Sequence, residues 1–467
     1  MNEMYPIEWG LESGEGGGLI VAGCRLRDLA LTYGTPLHVV HEERLEQTAR
    51  SFLAAAQSAY AGKVSVHYPF KCNALPAVVG VLRKAGMRAE VMTPFELDLA
   101  FRLGYGNQEI IANGPCKTAA FLRECLERSV RLIVADSLEE VRDLLELTKR
   151  TGRTTEILLR VNPDYVPRGM NRGSATASRT GCAFGLDWKG GEVGAGLNLL
   201  RNSRAVRFRG FHFHIGTGIR RPGDYTAAFA CLPDLVVEAH RRGLNVEVLD
   251  VGGGMASATS REFTSREMLE YQALEILPPL NGGCQTAGVA DFAMHIVRSV
   301  ERAFNGMELP ELIYEPGRCI TGANQMLLLT VHRIKRRAGK TWIITDGGLG
   351  TVSLPTFYEW HEILLCNDVR RPRSLRATII GPGCFAGDVI YRNKPMPEVN
   401  PGDVIAVMDT GAYFLALESS FGFPRSAVVS VRNGIPRLIR HRETFKEMIQ
   451  RDELLPTNNE VQVEVSS

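Results

Sequence analysis

No stretch of this chain approaches the roughly 18 uninterrupted apolar residues that a membrane-spanning helix needs, so no membrane span is expected. The N-terminus, MNEMYPIEWGLESGEGGG, has no basic start leading into an apolar run, and no secretion signal is read there. The ten cysteines show no CxxC pairs and no regular spacing. That pattern argues against a zinc site or disulfide frame and for buried thiols in a reducing, cytoplasmic compartment, with no metal expected. Charge of one sign is lacking too: 54 Lys and Arg stand against 52 Asp and Glu. Such a balance offers no dedicated nucleic-acid surface and suits work on a small molecule.

What the chain does have is size and rhythm. Its 467 residues, 45% apolar and 23% charged, suit a soluble globular protein of two domains. Short β-branched runs recur through the first two thirds: VSVHYPF (64–70), RAEVM (88–92), EIIANG (109–114), RLIVAD (131–136), EILLRVN (156–162), RGFHFHIG (209–216), VEVLDVGG (246–253) and ELIYEPG (311–317). Amphipathic stretches such as LPAVVGVLRKAG (75–86), FELDLAFRLG (95–104), SLEEVRDLLELTKRTG (137–152) and YTAAFACLPDLVVEAHRRG (225–243) separate them. Eight strand–helix units in tandem fit a (β/α)8 barrel better than an open sheet. Residues 254–300 then hold an insertion or extended helices.

After about residue 323 the texture turns to strands broken by Gly and Pro, in QMLLLTVHRIKRR, KTWIITDGG, RATIIGPGC, DVIAVMDTGAY and SAVVSVRNG. The expected α/β architecture is therefore a barrel over 42–323 plus a mostly β domain built from 324–450 with 1–41, and a frayed tail over 451–467. The Gly-rich stretch EGGG at 15–18 reads as a turn or flexible link, with no strand before it.

In such a barrel the active site lies at the C-terminal ends of the strands. Lys71, Glu90, Asn113, Arg160, His214, Gly252-Gly253-Gly254 and Glu315 fall there. Taken alone, Lys71 reads first as a strand-end lysine that snorkels to solvent. Held among apolar neighbours, it has a lowered pKa and becomes a good amine for bonding a carbonyl. The triple glycine is either a tight turn or a place where backbone amides approach an anion, because the loops after strands 7 and 8 are the usual phosphate site of this fold. Arg318 can add charge to the same phosphate. Glu315 can hold a pyridine nitrogen protonated. His214 is either a satisfied barrel histidine or a ring lying on that pyridine, and His212 shares its strand face by the period-2 rule. In the β domain, GPGCFAGD (381–388) offers Cys384, either a small buried hydrophobe or a proton donor.

FKCN at 70–73, HFHIGTG at 212–218, LDVGGG at 249–254, YEPGR at 314–318, GPGC..GD at 381–388 and GAY at 411–413 together resemble the motif series of the fold-type III pyridoxal 5'-phosphate (PLP) decarboxylases, the diaminopimelate, ornithine and arginine decarboxylase group. The likeness runs over about 45–425. It implies PLP bonded through Lys71, His214 stacked on its ring and Glu315 at its nitrogen. Gly252 to Gly254, Gly317, Arg318 and Tyr413 would hold its phosphate with help from Thr217, and Glu90 and Arg160 would line the pocket. It also implies a homodimer with shared active sites, in which Cys384 of the partner subunit protonates Cα and Asp388 sits near the same pocket. Glu315 separates the chain from related racemases, which use an arginine there.

The likeness departs at the substrate end. Relatives acting on diaminopimelate carry RPALY where this chain has LPTFY, so Leu354 replaces their arginine while Tyr358 remains. They also follow the loop cysteine with an acidic residue, and here that position is Phe385. Losing a buried charge partner costs roughly 2–5 kcal/mol of binding. The loop at 164–185, with Arg168, Arg172 and Arg179, is either a solvated basic loop or a contact for an anionic substrate such as a carboxylate-rich siderophore precursor or a carrier-linked amino acid. The remaining alternatives are a diaminopimelate decarboxylase with relocated contacts and a regulatory protein that has kept the fold.

Overall fold

The computed structural model describes residues 5–168, 178–179, 181–279, 286–352 and 355–453. All eight β-branched runs are strands: β1 Val64–Pro69, β2 Arg88–Val91, β3 Ile110–Ala112, β4 Leu132–Ala135, β5 Thr155–Asn162, β6 Val206–Phe213, β7 Val248–Asp250 and β8 Glu311–Tyr314. Each pairs in parallel with its sequence neighbour, and β8 pairs with β1 to close the ring. Ile111, Leu132, Val134, Leu158, Val248 and Ile313 form a separate buried cluster of strand residues. The larger core lies between strands and helices.

The βα turns are written in hydroxyl caps. Thr93, Thr118 and Ser137 accept hydrogen bonds from the amides of Glu96, Phe121 and Glu140, satisfying donors that each helix start leaves open. Glu96 and Glu140 also reach back to the amides of Met92 and Asp136, at 2.7 and 2.8 Å, pinning each strand end at the rim. The amphipathic stretch over 225–243 is not one helix. It divides into Pro222–Ala228, a 3-10 turn and Leu232–His240, the second starting around Pro233, whose missing amide proton suits a helix start.

Opposite the rim, Glu311 at the start of β8 joins three strands. It pairs with Arg131 at 2.7 Å and Lys63 at 2.8 Å and accepts from Ser65 at 2.9 Å. Burial pushes its carboxyl up, but the hydrogen bonds of Arg131 and Lys63 outweigh it and hold the value at about 2. The folded value lies below the ordinary 4.5, so this stability is fully present above that range and is lost as pH falls towards 2. Glu311→Gln is expected to cost about 2 kcal/mol at neutral pH and to flatten the acid limb of the melting curve. An unfolding midpoint that does not move refutes it.

The second domain is a twisted β assembly. Leu37–His41 lies between Gln325–Arg337, antiparallel to it, and Ala427–Arg432, parallel to it. Lys340–Thr345, Leu375–Ile380 and Val389–Met396 extend the sheet on one side. The Gly-rich stretch at 15–18 is a turn, as read, although a strand does precede it. Leu11–Ser13 and Leu19–Val21 form an antiparallel hairpin that turns through these glycines, with Gly17 at φ +80°. Each strand has only three residues, too few to show a period.

The insertion after β7 crosses to the second domain. Arg261–Glu262 pairs with Glu359–Trp360, and Phe263 and Tyr271 enter the β-domain core. Buried Asp409 gathers Trp9 at 2.9 Å, Ser257 at 3.3 Å and Thr259, tying the N-terminus and the insertion to the DTGAY loop. No helix among the described residues is long and apolar enough to cross a membrane.

Candidate active site

Side chains carried on or just past all eight strands converge at the C-terminal mouth of the barrel. Lys71 sits just past β1, in the 3-10 turn Phe70–Cys72, with Nζ 2.6 Å from Glu90 Oε2 on β2. Its surroundings are therefore not apolar, which corrects the expectation of a lowered pKa. Burial alone would lower it, but the Glu90 and Glu315 carboxylates more than compensate and raise it. Glu90 itself is pushed up by burial, and its Oε1 is buried without a partner.

On the far wall, Asn113 Nδ2 lies 3.3 Å from Glu315 Oε1 and 3.2 Å from His212 Nε2, which is 3.4 Å from Glu315 Oε2. Asp250 joins them, and one ligand-type atom each of His212, Asp250 and Glu315 lies within 4.8 Å of the others. Burial and the neighbouring Glu315 charge raise the Asp250 carboxyl far above its usual range. Two carboxyls this close in a buried site resist double ionisation, and burial pushes Glu315 up as well, against the opposing pull of the Lys71 and Arg160 charges. Burial and the Arg160 charge hold His212 and His214 well below the usual imidazole range, so both are neutral. Arg160 is fixed by Asp136 at 3.0 Å and lies 4.7 Å over the Phe184 ring.

The loop after β7 explains its three glycines. A Cβ on Gly252 would lie 2.1 Å from the Phe213 carbonyl, on Gly253 2.1 Å from that of Glu315, and on Gly254 2.1 Å from that of Gly216. The loop is therefore sunk between β6 and β8. Its carbonyls are taken by the Glu315 amide, the Tyr225 hydroxyl and the Ile219 amide, while the amides of Gly253 and Gly254 meet no acceptor among the described residues. Gly317 closes against Cys72 and Pro69. Arg318 is buried beside it, 5.1 Å over the Tyr413 ring, and Tyr413 is held by the Cys72 carbonyl at 2.8 Å. Thr217 lies partly exposed on the loop after β6. Free amides, a buried guanidinium and a tyrosine make an anion cradle, with an amine and a buried carboxylate nearby. That donor set fits PLP.

The substrate-end residues scatter. Tyr358 lies near Arg318 and Glu359, its hydroxyl pKa raised by burial and the Glu359 charge. Arg179 is exposed, its carbonyl accepting from Asn162 at 2.9 Å. Leu354 and Arg172 lie outside the described residues. Cys384 and Phe385 are exposed on a β-domain loop, Phe385 5.9 Å from the Phe421 ring, and neither touches the Lys71 cluster within the chain among the described residues. Asp388 is buried, and its two oxygens accept the amides of Leu349 at 2.6 Å and Gly383 at 2.7 Å. It ties down the loop base and lines a cavity there with Thr35, Asp346, Phe421 and Arg442. Sequence reasoning left out Asp250, Asp136, Glu359 and His361. Asp250 is spaced two residues from the first glycine on β7, and strand period alone would have faced it inward.

The family model described as "Pyridoxal-dependent decarboxylase, pyridoxal binding domain" matches residues 45–322. The chain is 28% identical over 447 residues to diaminopimelate decarboxylase of Methanocaldococcus jannaschii, covering 94% of this chain and 96% of that one. It is 29% identical over 457 residues to diaminopimelate decarboxylase of Actinosynnema pretiosum, covering 96% and 95%. Superposed on the crystal structure of the M. jannaschii enzyme in co-complex with L-lysine, it gives a TM-score of 0.85 at 27% identity, over 96% of this chain and 98% of that one. The chain belongs to the pyridoxal-dependent decarboxylases and is a PLP-dependent carboxy-lyase of amino acids.

Proposed function

We propose that the chain acts as a homodimer, decarboxylating an amino acid at Cα between Lys71 of one subunit and Cys384 of the partner subunit. The observation behind this reading is the separation of the two groups. Lys71 is in the barrel mouth, whereas Cys384 is exposed on a loop whose base is clamped by buried Asp388. When bound, PLP supplies the aldehyde that joins the substrate amine and a ring that accepts the electron pair left by CO2. Lys71 would hold the cofactor aldehyde, and Glu315, with Asp250 beside it, would be the carboxylate partner of the ring nitrogen. His214 would pack against the ring. Gly252 to Gly254, Gly317, Arg318, Tyr413 and Thr217 would hold the phosphate, and Glu90 and Arg160 would orient the groups beside Lys71.

For the substrate, we propose an amino acid without a distal ammonium, carrying instead an anionic or carrier-linked end near Arg179. Phe385 beside Cys384 supports this, since a phenyl ring offers no carboxylate to form an ion pair with a distal ammonium. The full-length likeness to diaminopimelate decarboxylases favours a second reading, diaminopimelate itself with its contacts moved to other residues. A CO2-release screen over diaminopimelate, lysine, ornithine, glutamate and citryl- or carrier-linked amino acids separates the two. Arg179→Ala is expected to raise KM for the anionic substrate about tenfold with kcat unchanged. An unchanged KM removes Arg179 from the substrate site.

A further inference from the structure

Arg318 comes from the barrel, yet the groups that hold it come from the β domain. Its Nη1 lies 2.6 Å from Glu359 Oε2. The same oxygen is 3.1 Å from His361 Nε2, and His361 Nδ1 is 3.0 Å from the Met408 carbonyl. Both ring nitrogens thus face oxygen acceptors, which fixes the ring between them. Exposure of the three side chains is 8% for Arg318, 1% for Glu359 and 0% for His361. A buried ion pair does little for stability, because desolvation offsets the attraction, so its value lies in what it fixes in place.

Glu359 is itself held from several directions. Its strand pairs with Arg261–Glu262, its carbonyl accepts the Tyr391 hydroxyl at 2.6 Å, and that hydroxyl accepts the His361 amide at 2.8 Å. Lys394 donates to the His361 carbonyl at 2.9 Å and stands 3.6 Å over the Trp360 ring. The brace is rigid, yet the guanidinium it holds is not used up: Arg318 Nε is buried without a hydrogen-bond partner. Arg318 also borders Tyr413, beside the glycine loop with its open amides.

We infer that Glu359 and His361 are positioning residues for the cofactor phosphate, a brace from the β domain that fixes the Arg318 guanidinium in its binding pose. The inference rests on the phosphate role proposed above for Arg318. It makes cofactor affinity depend on how the two domains dock, since barrel and brace meet at this pair.

PLP and pyridoxal separate this role from a general one, because both carry the aldehyde and only PLP carries the phosphate. Each is titrated into the apo forms of the wild type, Glu359→Gln, His361→Phe, Arg318→Ala and the Arg318→Ala/Glu359→Gln and Arg318→Ala/His361→Phe double variants, followed by visible absorbance. Glu359→Gln and His361→Phe are expected to weaken PLP about tenfold or more, to leave pyridoxal nearly unchanged, and to add nothing on top of Arg318→Ala. Equal weakening of both ligands overturns the inference, as does unchanged PLP affinity with a raised KM for the amino acid. An Arg318→Ala protein that keeps its preference for PLP overturns the phosphate reading beneath it instead. Should Glu359→Gln fail to fold, His361→Phe, which preserves ring volume, carries the same comparison.

Discussion

Lys71→Ala is expected to lower CO2 release by about 10³-fold or more, because it removes the amine that holds the cofactor aldehyde and hands it to substrate. Lys71 Nζ is already fixed at the barrel mouth on Glu90 at 2.6 Å. Borohydride treatment of the wild type should leave the cofactor's mass on the peptide that holds Lys71, and the variant should lose that label while still binding PLP through the phosphate cradle. Lys71→Arg keeps the charge opposite Glu90 without a reactive amine, so it should be as inactive as the alanine variant and fold better. The charge is needed for folding because Glu90 is buried and its second oxygen has no partner. Label on a different lysine, or a variant that keeps more than a few per cent of activity, would show that Lys71 is not the bonding residue.

Much of this site can be read from the sequence because barrel strands bring chemistry to one rim at a fixed place in each repeat. The eight β-branched runs all became strands, and the residues ending them became the wall of the mouth. Spacing is blind to what surrounds each residue. Lys71 was expected among apolar side chains, but Glu90 is only 19 positions away and faces it from the next strand, which reverses the direction of its pKa shift. Asp250 was legible only as a strand residue and His212 only as sharing the face of His214, because their importance lies in sharing a buried patch with Glu315 that no local pattern reveals. The Glu359–His361 brace was invisible for a further reason: it acts on Arg318 41 positions away, across the boundary between barrel and β domain. The loop from Gly381 to Asp388 shows the opposite case. Its composition announced a special turn, and Asp388 proved to be the clamp of that turn, with both oxygens spent on backbone amides.

Mixing two inactive proteins tests whether the 381–388 loop serves the neighbouring subunit. Cys384→Ala is expected to lower kcat by about 10²–10⁴-fold, the range for loss of a positioned proton donor, with PLP affinity and the cofactor–lysine absorbance unchanged. The exposed thiol has no contact with Lys71 within its own chain, so both groups are complete in one site only if that site is shared. Combined with Lys71→Ala under conditions that let subunits exchange, Cys384→Ala should regain up to about one quarter of wild-type activity. Random pairing makes half the dimers mixed, and in each of these one of the two sites holds both an intact Lys71 and an intact Cys384. A protein that completes its sites within one chain would recover nothing on mixing, because every chain present would still lack one of the two groups. Recovery that tracks subunit exchange and saturates near that fraction would place the donor in the partner's loop, and Phe385 beside it would then face the same substrate from the same side.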